Sequence, residues 1–377
     1  MSKVNKQNKI VEAKLEQSWE FAKLIDVIKE VLTESTIEFI RDPNYEANAT
    51  KKNEKISKSA EEQSDEESEE EKKKSDSDEE SESDTESGSD EESKKSKKNK
   101  IVKSEDKNKN PSNEEKKSTG GIRILAFDDQ QTLLIYVKLN AEEFSEFYVG
   151  TPYHKIGLDI AQFHKFTKTI DKESMMTISI DKDDQQYVVF ELENESKDNT
   201  SKYKQKLLDY EDKGRKLPSK AEFEMAVVMD TSDFRKICTE MNQFSEYVEI
   251  TCTSKEITFR CQGDSNAFIK TFKNSSSDSG VKITCYKIDG KSPSIVQAIY
   301  NLKHLVTFGK CVNLCSEMQL FLKNDYPLFI NYSVGRLGKM LVGLVPVDEQ
   351  SVDRNADYDE KHDNFYDSKK IIVKDEQ

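Results

Sequence analysis

Six cysteines and four histidines have the widest chemical repertoire in this 377-residue chain, so their spacing is the first test for catalysis or metal binding. Cys238, Cys252, Cys261, Cys285, Cys311 and Cys315 all fall in the C-terminal half, and no two form a CxxC pair. Cys252, Cys261 and Cys285 sit inside alternating apolar runs, where a thiol behaves as a small hydrophobe. His154, His164, His304 and His362 lack metal-ligand spacing, so no metal and no cofactor is expected. A GxxxxGK phosphate loop, a GxGxxG and an HExxH are all missing, and an enzyme is not expected. The spacing that remains belongs to cations. Lys23 and Lys29, Lys165 and Lys168, Arg235 and Lys236, and Lys303 and Lys310 lie off the apolar faces of four helical stretches. Taken singly, each such face reads as an ordinary solvated surface. Four of them turned the same way make a basic lining that holds phosphates without reading bases.

The elements that must carry these cations follow from hydrophobic periodicity. Trp19 to Leu32 places Phe21, Leu24, Ile25, Ile28, Val31 and Leu32 on one helical face. STIEFI (Ser35 to Ile40), GIRILAF (Gly121 to Phe127) and TLLIYVKL (Thr132 to Leu139) follow as strands. A second unit runs from a helix at Asp159 to Ile170 into MMTISID and QQYVVFEL. A third begins with EFEMAVVM, continues through a helix at Ser232 to Asn242, and then gives YVEITCT and EITFRCQ. A fourth is expected to have a helix at Ile295 to Phe308, then EMQLFLK, PLFINYSV and MLVGLVP. A helix followed by antiparallel strands, repeated four times, predicts an internally duplicated α+β architecture.

The net charge of −15 argues against a nucleic-acid binder until it is located. Glu61 to Glu92 holds 18 acidic residues and three lysines, which accounts for all of it; the remaining 55 acidic and 55 basic residues balance. From Asn48 to Thr119 the chain is almost wholly Lys, Glu, Asp, Ser and Asn, too polar to offset its ordering entropy, so a disordered insertion is expected. Serines preceding acidic residues suit acidophilic kinases. KKSKKNK (Lys94 to Lys100) reads equally as a nuclear localisation signal and as a solvated charge run. No window approaches about 18 consecutive apolar residues and the first residues contain no apolar h-region, so a soluble intracellular protein is expected, without membrane attachment.

Several blocks resemble the sliding clamps of the proliferating cell nuclear antigen type. VEAKLEQSWEFAKLIDVIKEVL resembles the family's first strand and helix, and AFDDQQTLLIYVKL its signature hairpin. DTSDFRKICTEMNQFSEYVEITCTSKEITFRCQG resembles the third helix and following hairpin. LKHLVTFGKCVNLCSEMQLFLKNDYPLFINYSVGRLGKMLVGLVPVDEQ resembles the last helix and sheet. The resemblance implies a two-domain DNA-clamp fold assembling as a homotrimeric ring, with helices lining a hole through which double-stranded DNA passes. By motif position, Lys23, Lys29, Lys165, Lys168, Lys236 and Lys310 take the places of hole-lining residues. Arg235 stands beside such a position, and Lys303 lies on the same face. Ala22 and Thr239 depart from the family's usual Lys and Arg. The resemblance also implies an outer pocket for the short peptide of partner proteins, at Phe127, Leu217, Pro218, Pro327, Leu344, Val345 and Pro346. Gln131 replaces a histidine common in the hairpin, and Lys213, Arg215 and Lys216 make the connector unusually basic.

The implied partners are DNA polymerase, a clamp loader and proteins carrying that peptide. The implied location is the nucleus for a cellular protein or the replication site for a viral one. The expected organisation is a flexible N-terminus at 1–10 and a clamp domain at 11–206, interrupted by the insertion at 48–119. A connector at 207–222, a second clamp domain at 223–350 and a flexible tail at 351–377 follow. A checkpoint-type clamp subunit, a monomeric viral processivity factor and an acidic histone-binding protein are the alternatives.

Overall fold

Strand β1 (Lys9–Leu15) leads into helix α1 (Ser18–Ile28), whose buried stripe is Phe21, Leu24, Ile25 and Ile28. Strands β2 (Glu34–Ile40), β3 (Gly121–Phe127), β4 (Leu133–Asn140), β5 (Glu146–Val149) and β6 (Tyr153–Asp159) follow. Helix α2 (Ile160–Thr167) and strands β7 (Met175–Asp181), β8 (Tyr187–Asn194) and β9 (Asn199–Lys206) complete the first half. The second half repeats the order: β10 (Met225–Asp230), α3 (Thr231–Met241), β11 (Tyr247–Cys252), β12 (Glu256–Gln262), β13 (Ala267–Lys273), β14 (Lys282–Cys285) and β15 (Val296–Asn301). Helix α4 (Leu302–Gly309), a 3-10 turn (Lys310–Asn313), β16 (Glu317–Leu322), β17 (Leu328–Val334) and β18 (Gly338–Leu344) end it. This computed structural model describes residues 8–42, 120–128, 130–210, 217, 222–263, 265–276, 280–288 and 294–348, all within one compact unit. The acidic insertion, most of the connector and the C-terminal tail lie outside the described residues.

Three of the four α-helices among the described residues start in the same way. The last residue of the preceding strand, Asp159, Asp230 or Asn301, turns its side chain back to accept a hydrogen bond from Gln162 N, Ser232 N or Lys303 N. Each cap satisfies one otherwise orphaned donor and contributes about 1 kcal/mol. α1 has Gln17 at this place and no side-chain cap. Its entry is held by Ser18, a buried residue whose hydroxyl donates to Ser174 O.

The helices stand in a row. α1 packs on α2, with Phe21 and Phe163 edge to face at 6.0 Å and His164 Nε2 2.8 Å from Asp26 Oδ1. On its other side α1 meets the 3-10 turn after α4, and α4 meets α3. That last crossing is close because residue 309 is glycine; a Cβ there would lie 3.2 Å from Arg235 Cα. The helices lie against the nine-stranded sheet, through β17, β2, β6 and β10, and against two small sheets ordered β5-β1-β7-β8-β9 and β13-β12-β11-β15. Phe163 stacks on Phe190 at 4.3 Å, and Phe234 meets Phe259 at 6.4 Å.

A nine-stranded sheet, ordered β14-β10-β16-β17-β18-β4-β3-β2-β6, joins the two halves. Its central seam is antiparallel pairing of β18 with β4, from Gly338 opposite Leu139 to Leu344 opposite Leu133. The α+β two-domain clamp fold is thus the one found. The insertion leaves the sheet between paired strands: Ile40 lies opposite Gly121, and a Cβ on Gly120 would overlap the Asp42 backbone.

Two expectations change. The stretch from Ile295 to Phe308 is not one helix; β15 takes its first part by pairing along β11, and α4 begins after the Asn301 cap. Val296, Ile299 and Tyr300 suit either period, so the open edge of β11 decides. β1 begins at Lys9, inside the segment expected to be flexible, where Lys9 Nζ binds Asp181 at 3.0 Å.

Candidate functional site

The eight predicted cations lie along the helix row, and their surroundings divide them. Lys165, Lys168, Arg235, Lys236, Lys303 and Lys310 are exposed, whereas Lys23 and Lys29 are half-buried. Lys168, Arg235, Lys236 and Lys303 make no ion pair among the described residues. Lys165 Nζ donates to Gln162 Oε1 at 3.1 Å, a neutral partner one helical turn away. Lys23 Nζ sits 4.1 Å above the Trp19 ring; burial and the nearby Lys172 charge push its pKa down. Lys172, exposed on the turn after α2, is a cation the helical spacing missed because it lies beyond the helix end.

Lys29 and Lys310 are tied instead to one carboxylate. Glu30 Oε1 accepts from Lys29 at 2.9 Å and Glu30 Oε2 from Lys310 at 2.6 Å. These two hydrogen bonds hold the Glu30 carboxyl at a pKa of about 2. The triad joins the end of α1 in the first half to the turn after α4 in the second.

On the opposite face of the nine-stranded sheet, alternation builds an apolar patch. Ile122 and Ile124 of β3, Ile135 and Val137 of β4, and Met340 and Val342 of β18 point toward the main core. Their neighbours Leu125, Phe127, Leu134 and Leu341 point the other way. There they meet Ala226, Phe321, Phe329, Tyr286 and Tyr326 from the second half, with Leu217 and Phe223 from the connector region. Phe223 is the centre, its ring 5.3 Å from Phe321, 5.7 Å from Phe329 and 6.1 Å from Tyr326. Beside Phe127, a cavity of about 260 Å³ is lined by Leu125, Leu208 and Tyr210 together with Glu34, Glu38, Lys155 and Asp209.

Of the predicted pocket residues, Phe127 and Leu217 join this patch, Pro327 and Pro346 are half-buried and Val345 is 41% exposed. Pro218 lies outside the described residues. Leu344 is corrected: at 1% exposure it belongs to the main core, because it shares the inward register of Met340 and Val342. Gly343 occupies the outward position, and Phe329 lies against it. Phe223, Tyr326 and Phe329 were missed as site residues; the alternation of PLFINYSV and the aromatic just before EMAVVM are the signals that reveal them. The patch is framed by backbone bonds from Val345 N to Thr132 O at 2.9 Å and from Val347 N to Ile299 O at 2.8 Å. The hairpin tip is pinned by Asp128, whose carboxylate accepts from Leu133 N at 2.7 Å and Thr132 Oγ1 at 2.8 Å.

Two family models match this duplicated architecture in tandem. Residues 105–214 match the proliferating cell nuclear antigen N-terminal domain, and residues 217–347 match the corresponding C-terminal domain. The chain belongs to the proliferating cell nuclear antigen family. The N-terminal match begins beyond most of the insertion, while β1, α1 and β2 precede it; the sheets return these elements to the same half. The chain is 33% identical over 233 residues to a probable DNA polymerase sliding clamp of Acanthamoeba polyphaga mimivirus, covering 62% of this chain and 48% of that protein. It therefore spans about half the length of that viral relative. It is 26% identical to probable DNA polymerase sliding clamp 1 of Paramecium bursaria Chlorella virus 1, covering 60% of this chain and 84% of that protein. A proliferating cell nuclear antigen from Chaetomium thermophilum is also 26% identical, with 60% and 85% covered.

Proposed function

We propose that this family member is a DNA polymerase sliding clamp: it encircles duplex DNA and tethers the polymerase to its template. The observation that carries this reading is the row of four helices whose solvent face presents Lys168, Arg235, Lys236 and Lys303 without an ion pair among the described residues. Mobile cations of this kind neutralise phosphates without reading bases, so the protein holds DNA and still moves along it. The role is that of a scaffold, not a catalyst.

The ends of the small sheets support a ring as the assembly. β9 and β13 are terminal strands, and an edge strand with unpaired backbone groups is a template for another chain. Joining β9 of one copy to β13 of the next is a heterologous contact, which closes into a homotrimer if the rotation is right. Ile269 on β13, 51% exposed, supplies an apolar anchor for that joint. The Phe223 patch serves as the outer pocket for the aromatic anchors of peptides from polymerase, clamp loader and other replication proteins. Glu34, Glu38 and Asp209 beside Phe127 suit a basic residue flanking those anchors. The place of work is where DNA is copied, the nucleus in a cell or the replication site of a virus.

Primer extension with the cognate polymerase and clamp loader tests the reading. Addition of this protein is expected to lengthen the products; unchanged product lengths would sink it.

A further inference from the structure

Glu30 stands among the cations of the helix row and binds two of them. Its oxygens divide the work, one taking Lys29 from the same helix and the other Lys310 from the second half of the chain. The Lys29 and Glu30 side chains are each 28% exposed and that of Lys310 is 50% exposed, so salt screens the Lys310 contact more than the Lys29 contact. A lysine already neutralised by a carboxylate contributes little counterion release on meeting a phosphate, whereas an unpaired lysine contributes fully. Along the row the held pair, Lys29 and Lys310, lies between unpaired Lys168 after α2 and unpaired Lys303, Arg235 and Lys236 on α4 and α3.

We propose that Glu30 sets how tightly the helix row grips duplex DNA, by keeping Lys29 and Lys310 on a protein carboxylate and off the phosphates. The inference rests on the clamp reading above and adds to it a residue that limits the grip. Too many free cations would hold the duplex in place; a carboxylate at the junction of the two halves removes two of them while tying the halves together. Glu30 is thus a residue for sliding, and it acts through the lysines it holds.

The test is the slope of log K against log salt concentration for binding of the full chain to a labelled duplex, followed by fluorescence anisotropy between about 50 and 200 mM salt. Glu30→Gln is expected to steepen the slope by roughly 0.9 for each lysine released, up to about 1.8. The steepening should vanish when Lys29→Gln and Lys310→Gln are added to Glu30→Gln. Lys168→Gln, which removes an unpaired cation, should make the slope shallower by about 0.9 and serves to test the clamp reading. If Lys168→Gln changes the slope and Glu30→Gln does not, the inference fails and the clamp reading stands. If neither changes it, the helix row does not face DNA and both fail. Should Glu30→Gln fail to fold, Glu30→Asp keeps the charge but withdraws it by one methylene; a smaller steepening supports the inference, and an unchanged slope overturns it.

Discussion

Phe223 sits at the centre of the apolar patch proposed as the outer pocket. It directly follows the connector, stays half-buried, and touches three aromatic rings carried by β16, β17 and the turn between them. An aromatic anchor in such a desolvated patch typically dominates peptide binding. Phe223→Ala is therefore expected to weaken binding of a peptide with two aromatic anchors by roughly 30-fold, equivalent to about 2 kcal/mol, with little change in DNA binding. Titration of a labelled peptide checks this; affinity within a factor of two of wild type, with the melting temperature unchanged, would remove Phe223 from the pocket. At the same scale, Leu344 illustrates where a motif match falls short. The match places it beside Val345 and Pro346, but strand alternation turns it inward. Lys29 and Lys310 illustrate another limit: helical spacing finds both cations and puts Glu30 on the polar side with Lys29, but does not reveal that one carboxylate holds both.

The elements explain why a long polar insertion is compatible with this sheet. β2 and β3 are antiparallel neighbours, and the chain leaves at Asp42 and returns at Gly120, which touch. The insertion therefore replaces a hairpin turn. Loop closure costs only about 0.6 kcal/mol per doubling of length. Replacing 43–119 with a turn of about five residues removes roughly four doublings, about 2.4 kcal/mol, so the fold is expected to stay intact and the melting temperature to rise by roughly 5–10 °C, at about 2–4 °C per kcal/mol for this size. A large fall, read by circular dichroism, would mean that the insertion packs on the body. Periodicity located α1, α2 and α3 and most of the strands to within a few residues. It failed over Ile295 to Tyr300, where the apolar residues fit both periods and pairing with β11 decides.

At the scale of the whole molecule, the four helices form one row because the β18–β4 seam joins the halves. The free edges β9 and β13 then lie at the ends of two separate sheets, and ring closure requires each to meet the other on a neighbouring copy. Light scattering during size-exclusion chromatography is expected to give three times the chain mass, and Ile269→Asp to give the mass of one chain. A single-chain mass for the wild type at every concentration would exclude the homotrimer and favour a monomeric processivity factor.

The sequence by itself determined the repeated helix-and-strand grammar, the cationic helix faces, the location of the negative charge in one insertion and the clamp family. These are local properties, set by residue type and by spacing within one element. Only the tertiary structure decided which strands form the seam, that Phe223 sits at the centre of a patch built from four stretches of chain, and that Glu30 meets Lys310. Glu30 and Lys310 are 280 positions apart. Such pairings depend on the order in which strands join a sheet, and no local period encodes that order.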